Sequence, residues 1–316
     1  MHAQTWPAVR GEIRPSPSRI AWLALALITG PLLAVRFVTP GAIAIWMIIT
    51  AVTLCAGHSV GLHRGLIHGA LKMGKTTERV LIYLAAQTGM GGPLTMMGMH
   101  DLRDRWQNQN KCPEYYGYGH GATKDAWWYM CCEHVPQPDD LRPQVDPKFA
   151  TDAFQIHIDR HWRAHVVATA LPLYALGGVP WIVWGVAMRV TTAILGHWLV
   201  NYLAHTRGDQ PWVIEGAGEH GRNYKWLGAL SMGEGWHNNH HAFPRSAQLG
   251  IEKYQLDPGW MLIRLLQRAG LVWDVYDAKR AGPRKEAHSG QAASSAAGAP
   301  TTAPAGAATV ARKQVY

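Results

Sequence analysis

Residues 42–68 read AIAIWMIITAVTLCAGHSVGLHRGLIH, an apolar run that passes without a break into three histidines, His58, His63 and His68. Residues 42–56 carry no charged side chain. Extended to Leu62, the run is long enough for a transmembrane helix, which needs about 20 apolar residues. Upstream, residues 20–38 form a second run, interrupted only by Thr29, Gly30, Pro31 and Arg36. Gly and Pro are tolerated in a span, and Arg36 near its end can snorkel to the interface. With Thr39-Pro40-Gly41 between them, the two runs predict a transmembrane hairpin. Arg10, Arg14 and Arg19 precede it and a basic segment follows, so the positive-inside rule places both ends in the cytoplasm.

A second apolar hairpin is predicted at residues 166–176 and 181–200, turning at Gly177-Gly178-Val179-Pro180, with Arg189 lodged in its second arm. Residues 76–88 have helical apolar spacing, suiting a helix that lies on the membrane surface or packs on the spans. Residues 260–273 are amphipathic. Residues 108–160 are polar and without a clear period, and their Trp127-Trp128-Tyr129 patch suits an interface. Residues 1–19 read as an unstructured polar lead. From 279 to 316 the chain is rich in Ala, Gly, Ser and Pro and has nothing to build a core with, so it reads as disordered. The expected domain is therefore residues 20–278. The chain is basic, with 30 Lys+Arg against 21 Asp+Glu. No zinc-finger, RNA-binding or recognition-helix pattern accompanies that charge, so nucleic acid is excluded and a membrane face is favoured. Four cysteines without framework spacing predict free thiols in a reducing compartment. No cleavable leader is expected.

The chemistry lies in the histidines. In Gly233-Glu234-Gly235-Trp236-His237-Asn238-Asn239-His240-His241, a helix would put positions 237, 240 and 241 on one face. A solvated polar helix is the plainer account. Three imidazoles in five residues, with no Cys or carboxylate at ligand spacing, point instead to a nitrogen-rich site for iron, copper, zinc or nickel. His100, Arg103 and Asp104 repeat the i, i+3, i+4 spacing with different side chains. His197, Asn201 and His205, four apart, share one helical stripe, which a hydrogen-bonded core network would also explain. His120, His134, His157, His161 and His165 read individually as surface or packing residues.

Taken jointly, His63-Arg64-(three residues)-His68, the Gly91-Gly92-Pro93 lead-in, Trp198-(two residues)-Asn201-(three residues)-His205 and residues 235–244, GWHNNHHAFP, resemble the membrane fatty acid desaturases, in particular the acyl-CoA branch. The resemblance covers residues 21–275. It implies an all-α fold: an integral membrane four-span helical bundle of two hairpins, capped by a cytoplasmic helical domain that holds the metal. It implies oxygen-dependent introduction of a double bond into a fatty acyl chain, acyl-CoA being the leading substrate. The electrons would come from a separate electron-transfer protein, since four scattered cysteines cannot hold a ferredoxin-type cluster. Lys72, Lys75 and Arg79 are one candidate docking surface, a solvated face being the plainer account. The cofactor would be iron, two ions with one as the alternative, and O2 the co-substrate. The ligands carried over are His63, His68, His100, His205, His237, His240 and His241, with Asn201 acting through water. The implied location is a bacterial inner membrane, with the site on the cytoplasmic side.

One box departs from the family. Where it has three histidines, this chain has His100, Arg103 and Asp104. Asp104 can ligate iron through oxygen, whereas Arg103 stays protonated and has no acceptor. A guanidinium ~4 Å from a divalent ion would cost on the order of 8 kcal/mol at an effective dielectric of about 20. There are three resolutions, of which the first is the working reading, with His58 or His197 as compensation. Arg103 turns outward to an acidic group or substrate phosphate, with Asp104 as ligand; it occupies one metal position as a fixed charge; or His58 or His197 moves in as a ligand. Altered ligands also leave an acyl hydroxylase, or an inactive lipid-binding membrane protein, as alternative functions.

Overall fold

A computed structural model describes residues 11–137 and 141–289. The chain is mainly helical, with three two-stranded antiparallel pairings. Two helical segments are long and apolar enough to cross a membrane, Pro40–Ile67 and Ala153–Thr206. The second is not one rod. Gly178 has φ 64° and ψ −159°, and a Cβ added at Gly185 would lie 2.8 Å from Leu173 Cδ1. Twelve residues of straight helix would hold those positions about 18 Å apart, so the chain doubles back at Gly178, within the turn expected from sequence.

Ahead of Pro40–Ile67 runs the helix Pro17–Leu27, which widens into π-helical winding over Ile28–Leu32 around Pro31. Proline lacks an N–H and crowds the preceding turn; a wider turn is one way for a helix to absorb it. Thr39 then starts the next helix, its hydroxyl accepting from Ala42 N at 3.1 Å, with Pro40 in the first turn. The arms meet through Trp46 Nε1, which donates to Thr192 Oγ1 at 3.1 Å. On their outer surfaces Leu32, Val35, Leu171 and Leu176 are 69–82% exposed, apolar area that water would penalise and lipid would not.

Three boundaries differ from the sequence reading. The polar lead is ordered from Glu12, because Glu12–Pro15 pairs with Cys132–Val135 and a helix begins at Pro17. The tail begins later than 279: Ala278–Ala281 is helical, and Ala287–Ser289 pairs with Trp212–Ile214. Residues 1–10 of the lead and 290–316 of the tail lie outside the described residues. The helix that leads into the apolar stretch at 166–176 begins earlier, at Ala153, and its first turns are polar on the outside. Ile158, Trp162 and Val166 form its buried stripe, which His157, Arg160 and His161 on the outer face disguise as a polar stretch.

A second packed region forms around Thr53–Ile67. Helix Lys75–Ala86 packs directly on it, and a Cβ at Gly57 would fall 2.3 Å from Ala85 N. Leu62, Leu66, Ile82, Met97 and Phe149 form one buried cluster there, and Val60, Leu71, Leu81, Ile263 and Val272 another. A buried ion pair ties this helix to the C-terminal part of the chain. Arg64 Nη1 lies 2.9 Å from Asp257 Oδ1, and Arg64 also donates to the carbonyls of Ala247 and Met232. Asp257 accepts in turn from the backbone of Leu249, Gly250 and Trp260, so neither buried charge is left unpaired.

Candidate metal centre

Residues five apart on an α-helix turn through about 500° and point about 140° apart. His58, His63 and His68 are nevertheless aligned, because Thr53–Ile67 is wound as a π-helix, whose i→i+5 bonding stacks such residues. The backbone bond from His68 N to His63 O, 3.1 Å, closes that register. The rings of His58 and His63 lie 6.4 Å apart with planes within 5°, and the Nε2 atoms of His63 and His68 are 3.2 Å apart.

The short helix His237–Ala242 faces them. Its two asparagines point away from the histidines and fix it in place. Asn238 Nδ2 donates to the carbonyls of Trp212 and Gly221, and Asn239 Nδ2 to Leu249 O and Gln255 Oε1. Asn223 Oδ1 accepts from the backbone N–H of both, filling donors that a helix start leaves unpaired. The asparagines that separate the histidines in sequence are thus the frame that holds their helix.

Seven ring nitrogens converge in two groups, His63, His68, His100 and His240 in the first and His205, His237 and His241 in the second; within each, the atoms lie within 4.8 Å of one another. In the second, His237 Nε2 and His241 Nε2 are 3.1 Å apart. Two imidazole nitrogens ~2.05 Å from a tetrahedral ion would be separated by about 3.3 Å, so both spacings suit a transition metal. His205 supplies a further test of fit. Its Nδ1 lies 2.8 Å from the carbonyl of Asn201, which can only accept, so the proton is on Nδ1 and Nε2 carries a lone pair. That buried Nε2 has no hydrogen-bond partner. A ring held by its outer nitrogen with the inner one bare is the arrangement of a metal ligand.

Glu234 orients the first group. Its Oε2 lies 2.8 Å from His63 Nδ1, and its Oε1 accepts from Ser59 Oγ at 2.5 Å. Burial would raise the pKa of Glu234, but His63, Arg64 and Ser59 together hold it well below the usual carboxylate range. Burial, reinforced by neighbouring imidazoles, lowers His68, His237, His240 and His241 far below the ordinary histidine value, keeping them neutral and able to donate a lone pair.

The other expected residues fall around these groups. Asp104, expected as an oxygen ligand, is in neither cluster of nitrogens; its Oδ2 lies 3.4 Å from His100 Nδ1, one helical turn on, beside a cavity of about 420 Å³ also lined by His68, Arg105 and Arg284. Asn201 Nδ2 donates to His197 O at 2.8 Å and to Tyr129 Oη at 3.2 Å. His58 and His197 are in neither cluster; they contact each other edge-on, ring centres 4.8 Å apart, and His197 Nδ1 meets Tyr129 Oη at 2.9 Å. Arg103 points neither at the nitrogens nor at an acidic partner among the described residues. It lies over the rings of Tyr116, Tyr118 and Tyr129, 5.3–5.8 Å from their centroids, and donates from Nη1 to Tyr118 Oη at 3.0 Å. Tyr118 stacks on His205, centroids 4.1 Å apart and planes within 16°. A tyrosine ring therefore stands between the guanidinium and the second group, and such contacts favour a desolvated cation by ~2 kcal/mol. The sequence signal for this cage is Tyr115-Tyr116-Gly117-Tyr118, set in a stretch that reads as polar and without a period.

The sequence pattern described as fatty acid desaturase matches residues 38–276. The chain is 34% identical over 230 residues to a chloroplastic palmitoyl-monogalactosyldiacylglycerol delta-7 desaturase of Arabidopsis thaliana, covering 71% of this chain and 59% of that relative. It thus spans less than two thirds of that protein's length. It is 32% identical to an acyl-CoA 5-desaturase of Anemone leveillei, covering 73% of this chain and 71% of the relative. To an sn-1 stearoyl-lipid 9-desaturase of Synechocystis sp. it is 28% identical, covering 76% and 73%.

Proposed function

The chain belongs to the fatty acid desaturase family, and from that premise we propose that it introduces a double bond into a fatty acyl chain, carried on coenzyme A or in a lipid, at an iron centre. The observation that supports this most is the meeting of four distant stretches of chain at two groups of converging imidazole nitrogens. An unactivated methylene pair offers no acidic proton and no polar handle. Bound iron would supply the oxygen-dependent redox chemistry that side chains lack. Removing two hydrogens with O2 as oxidant and water as product needs two further electrons, which a separate electron-transfer protein would bring. Lys72 and Lys75 are poor candidates for its dock, being already paired with Asp274 and with Glu78 and Asp152.

In this reading His63, His68, His100 and His240 hold one ion and His205, His237 and His241 the other. Glu234 fixes the proton of His63 on Nδ1, and the Asn201 carbonyl does the same for His205. Asp104 sets the direction of His100 as Glu234 does for His63. The apolar arms form a four-span bundle with both ends cytoplasmic, in a bacterial inner membrane, and the centre lies just outside the bilayer on that side.

Cells expressing the protein test the activity. Acyl chains analysed by mass spectrometry should gain a double bond, and His240→Ala should abolish it. Hydroxylated chains in its place would overturn desaturation, and an unchanged lipid profile in the variant would overturn catalysis at this centre. Iron analysis of the purified protein should give two ions per chain; one would leave the three-nitrogen group without a role in binding.

A further inference from the structure

Three histidines outside the buried centre stand in a row on the helix Ala153–Ala168: His157, His161 and His165, four residues apart. On an α-helix that spacing puts them on one face over two turns. The row lies beside the buried stripe of Ile158, Trp162 and Val166, about 100° round the helix from it; His157 and His161 are exposed and His165 is half-buried. The first and third backbone positions are about 12 Å apart along the axis. Their rings nevertheless lean together until the two Nε2 atoms are 3.2 Å apart, with His161's ring centre 4.9 Å from that of His157. The His63–His68 pair in the buried centre has the same Nε2–Nε2 distance, close to the ~3.3 Å that two nitrogens have on a tetrahedral ion.

We propose that His157, His161 and His165 form a second, surface-exposed transition-metal site, distinct from the buried centre and open to exchange with solvent. Imidazole donors without a carboxylate or thiolate among them select zinc, nickel or copper over magnesium and calcium. His157 and His165 supply the first two nitrogens, His161 a third by a rotation of its ring, and water the remaining position. His165 is also supported from behind, where Tyr83 packs against its ring and Gln87 Nε2 donates to its carbonyl at 3.2 Å. An N–H···N hydrogen bond between two of the rings would give a similar distance, and metal uptake separates the two readings.

The proposal does not depend on the desaturase reading, and its test compares like with like. Full-length protein and a His157→Gln/His165→Gln variant are titrated with Ni²⁺ by equilibrium dialysis. The unmodified protein should take up one more Ni²⁺ per chain than the variant, while both retain the same iron content. As a second measurement on the unmodified protein alone, Ni²⁺ should protect His157, His161 and His165 from acylation by diethyl pyrocarbonate, mapped by mass spectrometry. Equal Ni²⁺ uptake by the two proteins, or acylation of these residues undiminished by Ni²⁺, would overturn the site and leave a hydrogen-bonded pair.

Discussion

The two groups of histidines share one short helix and differ in almost everything else. The first has four nitrogens, two of them stacked by the π-helical register of Thr53–Ile67, and carboxylates on its outer side at Glu234 and Asp104. The second has three nitrogens, a backbone carbonyl as the outer support of His205, and beyond it a tyrosine and a guanidinium. A metal in the first would meet more donors and negative second partners. One in the second would meet fewer donors and a fixed positive charge behind an aromatic ring. The difference teaches that the substitution at Arg103 is absorbed by its surroundings rather than repelled from them: Tyr118, which accepts from the guanidinium, also stacks on His205.

Glu234→Gln probes this contrast most strongly. The amide keeps an acceptor for His63 but loses the charge, and outer-shell partners of this kind are worth 10–100-fold in metal affinity. Iron should be lost first from the four-nitrogen group, read as faster release to a chelator, and release kinetics identical to the unmodified protein would remove the asymmetry. Arg103→His acts on the other side. Trading the cation for an imidazole should tighten binding at the three-nitrogen group by on the order of tenfold, since a ligand gained outweighs the ~1 kcal/mol of the lost Tyr118 hydrogen bond. Weaker second-metal binding in a calorimetric titration would mean that the tyrosine cage, with its arginine, supports the site rather than limiting it.

The smallest effect concerns how the cage is held. Tyr118 N donates to Glu219 Oε2 at 3.0 Å, and burial pushes the Glu219 carboxyl up to about 7 from the ordinary 4.5. A carboxyl whose folded pKa lies above its unfolded one costs nothing while both states are protonated. It costs progressively more as pH rises from 4.5 to 7, because only the unfolded chain ionises freely in that window. Glu219→Gln should therefore raise the thermal midpoint at pH 8 and leave it unchanged at pH 4. A gain of equal size at both pH values would assign the effect to packing.

Much of the fold is legible in the chain because spans and boxes are local signals. An uncharged run such as residues 42–56 has to be buried in lipid or protein wherever it sits, and Gly178 with Pro180 close behind marks a turn in any context. The start of helix Ala153–Ala168 is hard to see in the sequence because it is amphipathic, with His157, Arg160 and His161 exposed among the buried Gln155, Ile158, Trp162 and Val166. The i, i+3, i+4 spacing of His237, His240 and His241 likewise carried its own geometry.

Other features depended on partners distant in sequence. An interval of five between His63 and His68 has one meaning on an α-helix and another on a π-helix, and local sequence does not choose between them. Glu234 stands beside one set of histidines in the chain and serves another in space, 171 positions from His63. The direction of Arg103 depended on three tyrosines from two further segments. Spacing and apolarity are properties of a short stretch and were determined by the sequence alone. Which nitrogens meet, and which charge is screened from them, are decided by packing between stretches, so the tertiary structure had to supply them.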